Sequence, residues 1–414
     1  MSSPETENRI KPRKSRIARI AKWTVLVFVL LLLANWIGTS IVAGKNQETI
    51  DHFFDRIGAS SFEEYAHAGK RGDLFTGNGW YLFLGALSVA DRAALDAMEN
   101  RVPEGEELTD AQKQGREQTL DRVHVLLDEA RKAPYSIAIY NYRDPLSIEQ
   151  PHTFEVVSYV LLAASSACSH AAAGDLAKSG ERLADALAMT KGVMRLPSFL
   201  TAMVRHAAFG IVADALAEMI QDLPLSCLEE LADLIGSLDL EKGFANGLVG
   251  ELFFGLEGLE LLSFDVERFG AEQTQRSFGF TLLRALTSAY WELDKSVYLD
   301  AMIPMVLEPS LESSRRVSAD SIPSWAFMAR HFMTPLAGRY VTHRKTVARR
   351  AVILEALRLE RGRRETGEWP EPRTLSEKVP IIVTRNGDDL EIATPLQEGT
   401  KDKNEEPFSV TLHG

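Results

Sequence analysis

Glu251 is the residue whose setting in the sequence points most directly to altered chemistry. It lies in GFANGLVGELFFGLEGLELL, residues 243–262, where Gly247, Leu248, Phe254 and Gly255 are its helical neighbours and none is polar. A carboxyl in such company must pair with a cation or hold its proton to a higher pH. A buried ion pair with an arginine is the structural expectation. The functional one is a catalytic or ligand-binding carboxylate, as in a hydrolase. Glu64 and His67 form a Glu-x-x-His pair, and Glu149 and His152 form a second. That spacing belongs to di-metal carboxylate bundles, where both pairs sit on helices and point inward. Pro151 makes the second pair a poor helix interior, so capping or solvated roles compete with metal binding.

Other catalytic signatures are missing. The chain has no G-x-S-x-G elbow, no H-E-x-x-H, no Cys/His cluster and no Gly-rich phosphate loop. No cofactor is therefore implied. His206, beside Arg205 in an apolar stretch, reads as a hydrogen-bonded core residue rather than a general base. Tyr135, Tyr140 and Tyr142 cluster before Pro145. They form either a contact surface or a cover over the core. Cys168 and Cys227 are the only cysteines, and both read as buried free thiols.

The elements that would position these residues are mostly helices. Residues 23–44, WTVLVFVLLLLANWIGTSIVAG, carry no charge. As a helix they span roughly 33 Å, enough for a hydrocarbon core of about 30 Å. Trp23 and Trp36 lie toward the ends of the run, where interfacial rings are favoured. Seven basic and two acidic residues precede it, in a chain of net charge −12. The positive-inside rule then places the leader 1–22 in the cytoplasm and the body beyond a cytoplasmic (inner) membrane. A cleaved signal peptide is the alternative, but the run exceeds the usual h-region and Ile41-Val42-Ala43 is a poor cleavage site. The acidic body argues against nucleic acid as a partner. The expected partners are the bilayer, through residues 23–44, and an envelope protein.

The fold expected is mainly α: irregular stacked helical hairpins over residues 45–366 and a short β tail over 367–414 packed on them. Thr109 and Gln112 make a capping box opening a helix to about Arg131. Ser226 and Glu229 read as another box. Thr334-Pro335 reads as an N-cap and first turn of a helix ending near Gly367. Residues 153–173, 176–194 and 198–220 read as three helices, divided at Gly174-Asp175 and Pro197. The first two resemble a single tetratricopeptide unit, with no 34-residue period elsewhere. In the arginine-rich helix 339–364, interspersed Glu355, Glu360 and Glu365 favour a face paired with an acidic body over nucleic-acid binding. Asn386-Gly387, between two β-forming runs, predicts a hairpin, and PFSVTLHG a last strand.

Two stretches carry a resemblance. The hairpin segment 164–216 and the helix ARRAVILEALRLERGRRETGEWP (348–370), with Gly367, Trp369 and Pro370 at its turn, resemble a group of membrane-anchored helical proteins of bacteria such as planctomycetes. The resemblance implies the architecture and topology, but no activity. The ending is also similar to the C-terminal part of pseudopilins, whose processing site before the apolar helix this chain lacks. The expected function is a single-pass, membrane-anchored helical binding or scaffolding protein of the cell envelope. An envelope hydrolase using Glu251 and a secretion or pilus-type assembly component are the alternatives.

Overall fold

The computed structural model describes residues 13–66, 82–86, 88–89, 109–133, 153–193, 198–262, 278–333, 336, 338–372, 381–394 and 407–414. The fold is mainly α with one small sheet. The first helix, α1 (Arg13–Ile57), is a single 45-residue rod that contains the whole uncharged run. From Lys22 to Leu31 every residue is exposed. From Leu32 onward a half-buried or buried stripe appears at Leu32, Asn35, Thr39, Val42, Asn46, Phe53 and Ile57. That spacing of three, four or seven residues is the seam a helix presents to a partner helix.

The partner is α9 (Phe278–Leu307). Asn35 pairs with Ser288 and Asn46 with Glu292, so the two helices run side by side in the same direction. After α1 come α2 (Phe62–Ala66), α3 (Asp110–Lys132), α4 (Thr153–Ala172), α5 (Leu176–Val193), α6 (Phe199–Met219), α7 (Leu225–Gly236) and α8 (Leu240–Leu262). Following α9 are α10 (Leu311–Arg316), α11 (Phe327–Met333) and α12 (Arg339–Thr366).

The buried apolar residues form two clusters. One joins α3 to α7 and α12 through residues such as Leu120, Tyr159, Leu187, Phe209, Leu231 and Ile353. The other joins α1, α2, α8, α9 and α11 through Phe53, Phe62, Phe244, Leu252, Met302 and Met333. The hairpin of α4 and α5 turns at Gly174, whose φ of 83° a side chain would oppose. Its helices approach closely because Ala163, Ala167, Ala184 and Ala188 face inward. The central helix α6 is also long and apolar enough to cross a membrane, but its apolar window is two-thirds buried by the helices around it.

Glycines in α8 are explained by close approach. A methyl at Gly243 would strike the Arg205 guanidinium, and one at Gly255 would strike the Tyr298 phenol.

Two helix starts differ from expectation. Ser226 does not cap α7: the helix begins at Leu225 after Pro224, with no side-chain cap bond. Pro224, at φ −58° and ψ 152°, starts the helix early enough that Ser226 lies inside its first turn. The last long helix begins at Arg339 after Gly338, later than the expected start; Thr334 and Pro335 are outside the described residues. The Thr109–Gln112 box is present in full, and Gly367 ends α12 in the left-handed region at φ 80°.

The tail is an antiparallel sheet of order β1 (Ile382–Asn386), β2 (Asp389–Ala393) and β3 (Ser409–Leu412). Asn386 pairs with Asp389 across the Gly387-Asp388 turn. Leu390, Ile392, Val410 and Leu412 are buried, and β2 and β3 pack on α12. The Trp369 indole donates to Asp388 O at 2.9 Å, tying the turn after α12 to the hairpin.

Candidate functional site

A polar cluster lies between α3 and α5. Glu117, Asp121, His124 and Arg131 fall on one face of α3 at spacings of four, three and seven. Lys178, Glu181, Arg182 and Asp185 share one face of α5. Arg182, fully buried, donates from Nη2 to Glu117 Oε2 at 2.7 Å and to Asp121 Oδ1 at 2.6 Å. Lys178 reaches Asp121 at 3.0 Å. From α4, Ser166 donates to Glu117 Oε1 at 2.5 Å. Burial alone would raise the Glu117 carboxyl, but the bonds from Ser166 and Arg182 outweigh it and hold the pKa below its ordinary value.

Asp185 is also fully buried. Its two oxygens lie 2.9 and 3.0 Å from His124 Nδ1, and Arg131 Nη2 is 3.3 Å from Oδ1. Burial prevails here, and the Asp185 carboxyl is raised above its ordinary value despite both partners. A buried carboxylate on Nδ1 orients an imidazole and leaves Nε2 as its reactive nitrogen, the arrangement of a general base. The His124 side chain is partly exposed.

Ligand atoms of His124, Glu181 and Asp185 come within 4.8 Å of one another. The set does not suit a metal. Arg182 Nη1 stands 3.5 Å from Glu181 and 4.0 Å from Asp185, so a guanidinium already supplies the positive charge between them. Two further groups are poorly served: Tyr159 Oη and Arg182 Nε are buried and meet no hydrogen-bond partner among the described residues.

Beside this cluster lies a cavity of about 290 Å³, lined by Phe83, Leu127, Ala188 and Leu234 and by the cations Arg131 and Lys191. Arg131 thus faces both the cavity and Asp185.

Glu251 stands apart. Its carboxyl is raised to about 7 by burial. No hydrogen bond or ion pair reaches that carboxyl among the described residues. The expected arginine partner is not there: Arg205, the buried arginine against α8, donates instead to Leu240 O at 3.2 Å. Tyr298 donates to the Glu251 backbone carbonyl at 2.8 Å, leaving the carboxyl unengaged.

The other sequence candidates are dispersed. The Glu64 carboxylate accepts from Ser60 N at 2.8 Å and from Ser60 Oγ, and its own N–H donates to Ser61 Oγ, so it caps α2. His67, Glu149, His152, Tyr135, Tyr140 and Tyr142 lie outside the described residues. His206 is buried with its Nε2 3.2 Å from His343 Nδ1, and Phe244 stacks on His343 at 4.1 Å. Burial drives the pKa of both histidines down, with Arg205 adding to the effect. Cys168 and Cys227 are free, and burial raises both thiols.

The arginines of α12 are engaged both by glutamates of their own helix and by groups outside it, Arg364 donating also to Leu223 O and Gln221 O. Glu355 and Glu360, both fully buried, accept from Arg358, Arg363 and Arg364. Arg350 donates to Ile235 O and Gly236 O at the end of α7, where carbonyls lack helical partners. Asp214 on α6 is a carboxylate from elsewhere in the body that meets them, through Arg349 at 3.2 Å.

The α3–α5 cluster escaped the sequence reading. Its signal is present as charges at helical spacing on both elements, but each face alone looks like a solvated surface. Compared with protein-family models, with curated proteins and with solved structures, the chain finds no significant match.

Proposed function

We propose that this protein is a single-pass membrane protein of a bacterial cell envelope, whose helical body binds or scaffolds a protein partner. In this reading residues 23–44 cross the inner membrane, the basic leader stays in the cytoplasm and the body lies outside. The observation that carries it is the state of α1. Ten consecutive residues, Lys22 to Leu31, are exposed, eight of them large and apolar except for Thr24 and Lys22. Such a surface needs an apolar solvent. The same helix then continues unbroken into the body, as an anchor rigidly joined to its domain does. Crosslinking in intact cells, followed by identification of the bound protein, tests the binding role. Recovery of one envelope protein, lost when residues 110–193 are made non-native, agrees with it. Turnover of an envelope substrate by the purified protein, with no partner recovered, overturns it.

One observation favours a second reading, an envelope hydrolase. Glu251 is a carboxyl with no partner among the described residues and a pKa near neutrality, which suits a general acid or base. Activity of the purified protein that Glu251→Gln abolishes without loss of fold would establish it.

A further inference from the structure

We infer that the body is seated in the bilayer rather than suspended from it: the turn of α9 at residues 287–291 enters the body-side leaflet, and Trp325 and Phe327 lie at its headgroups. This rests on the reading of residues 23–44 as the membrane span.

Depth is set by α1. Ser288 Oγ lies 2.8 Å from Asn35 Nδ2 and 2.9 Å from Thr39 Oγ1, and both partners are inside the uncharged run. Ser288 is therefore level with a point about seven residues below Gly44, which is roughly 10 Å at 1.5 Å per residue. That is about a third of a 30 Å hydrocarbon core. Polar side chains at such depth are tolerated when they bond to each other across helices, as these three do.

The charge boundaries agree. On α1 the first charge after the run is Lys45; on α9 the first after residues 285–291 is Glu292. Asn46 Nδ2 donates to Glu292 O and to Glu292 Oε2, both at 2.9 Å. Both helices thus turn from uncharged to charged at one level. An independent sequence would have no reason to match the edge of the anchor. One charge, Arg284, precedes the uncharged stretch of α9.

Aromatic residues mark the same level. Tyr290 Oη donates to Trp325 O at 2.7 Å, which brings the chain before α11 alongside Tyr290. Trp325 is 48% exposed, Phe327 65% and Leu293 44%. Large apolar side chains left open at the boundary between charged and uncharged surface form the girdle that interfacial aromatics supply.

The test uses the full chain in nanodiscs of phosphatidylcholine and phosphatidylglycerol, with Cys168→Ala and Cys227→Ala. Single cysteines are introduced as Leu30→Cys, Thr287→Cys, Phe327→Cys or Thr384→Cys, each carrying an environment-sensitive fluorophore. Quenching by aqueous iodide is compared with quenching by lipids spin-labelled in the acyl chain or the headgroup. The expected result is loss of iodide quenching at 30 and 287, with acyl-chain quenching at both. Headgroup quenching is expected at 327, and iodide quenching alone at 384. Iodide access at 287 and 327, with 30 still in lipid, overturns the inference and leaves the anchor standing. Iodide access at 30 removes the anchor and the inference with it. Ala289→Cys, on the same turn of α9, repeats the measurement should Thr287→Cys fail to fold.

Discussion

Asn35 donates from its side-chain amide to Ser288 Oγ at 2.8 Å, across 253 residues of sequence. Thr39, which donates to Asn35 O one turn back along α1, completes a polar triangle with the same serine. Interhelical bonds of this kind contribute about 0.6 kcal/mol on average and at most about 2 kcal/mol in membrane proteins. Asn35→Leu and Ser288→Ala should each weaken the α1–α9 pairing by about that amount. The double variant should lose little more than either alone, because the bond is shared. Unfolding of the detergent-solubilised chain measures this; fully additive losses contradict a direct contact.

Arg182 is the cation on which the α3–α5 layer depends. Replacing it by methionine keeps the packing of its stem but removes the guanidinium that Glu117 and Asp121 share, leaving Ser166 on the first and Lys178 on the second. Removing one partner of a buried pair costs 3–5 kcal/mol; both carboxylates here keep part of their surface in water, so about 2–3 kcal/mol is expected. Denaturant unfolding of Arg182→Met reads the loss. A change below about 0.5 kcal/mol, the range of ordinary surface substitutions, would show that the layer is not structural.

Gly243 sets two effects against each other. Alanine is the better helix former by about 1 kcal/mol, so Gly243→Ala would stabilise an isolated α8. In the protein the new methyl meets the guanidinium of Arg205, which is 1% exposed. Overpacking of this kind costs about 1–3 kcal/mol, and the net change should be destabilising. A raised melting temperature would mean that Arg205 can leave its pocket.

Glu251 should make stability depend on pH in a defined direction. Burial raises its carboxyl from 4.5 to about 7, so the folded protein binds more protons than the unfolded chain between those values. The contribution is therefore complete below about pH 4.5 and is lost as pH rises through 7. Glu251→Gln removes the titration. It should be more stable than the parent at about pH 8, by on the order of 2 kcal/mol after allowance for the part of the side chain still in water. Parallel pH profiles for the two proteins would show that the carboxyl titrates alike in the folded and unfolded chain and is not raised by burial.

Features written in short stretches of chain were legible from the sequence. The Thr109–Gln112 box, the turn at Gly174, the left-handed Gly367 and the hairpin after Asn386 each depend on a few adjacent residues. The start of α7 was misread because Pro224, two residues before Ser226, decides the local backbone first. The packing reason for glycines in α8 was expected, but the residues that fill the space, Arg205 and Tyr298, come from other helices. The chemistry of the cluster was hidden for the same reason. Asp185 gains its partners from α3, 61 residues from His124, and no periodicity within α5 reveals them. Glu251 was singled out by its neighbours, but its lack of an arginine depends on where Arg205 points.

Every role proposed for the body depends on α1 crossing a membrane with the body beyond it. The direct measurement is a pair of reporters fused at the C-terminus in bacterial cells, alkaline phosphatase and an enzyme active only in the cytoplasm. The account predicts phosphatase activity and a silent cytoplasmic reporter, with both fusions in the membrane fraction after alkaline carbonate washing. An active cytoplasmic reporter beside a silent phosphatase, or release of the protein by carbonate, would contradict it.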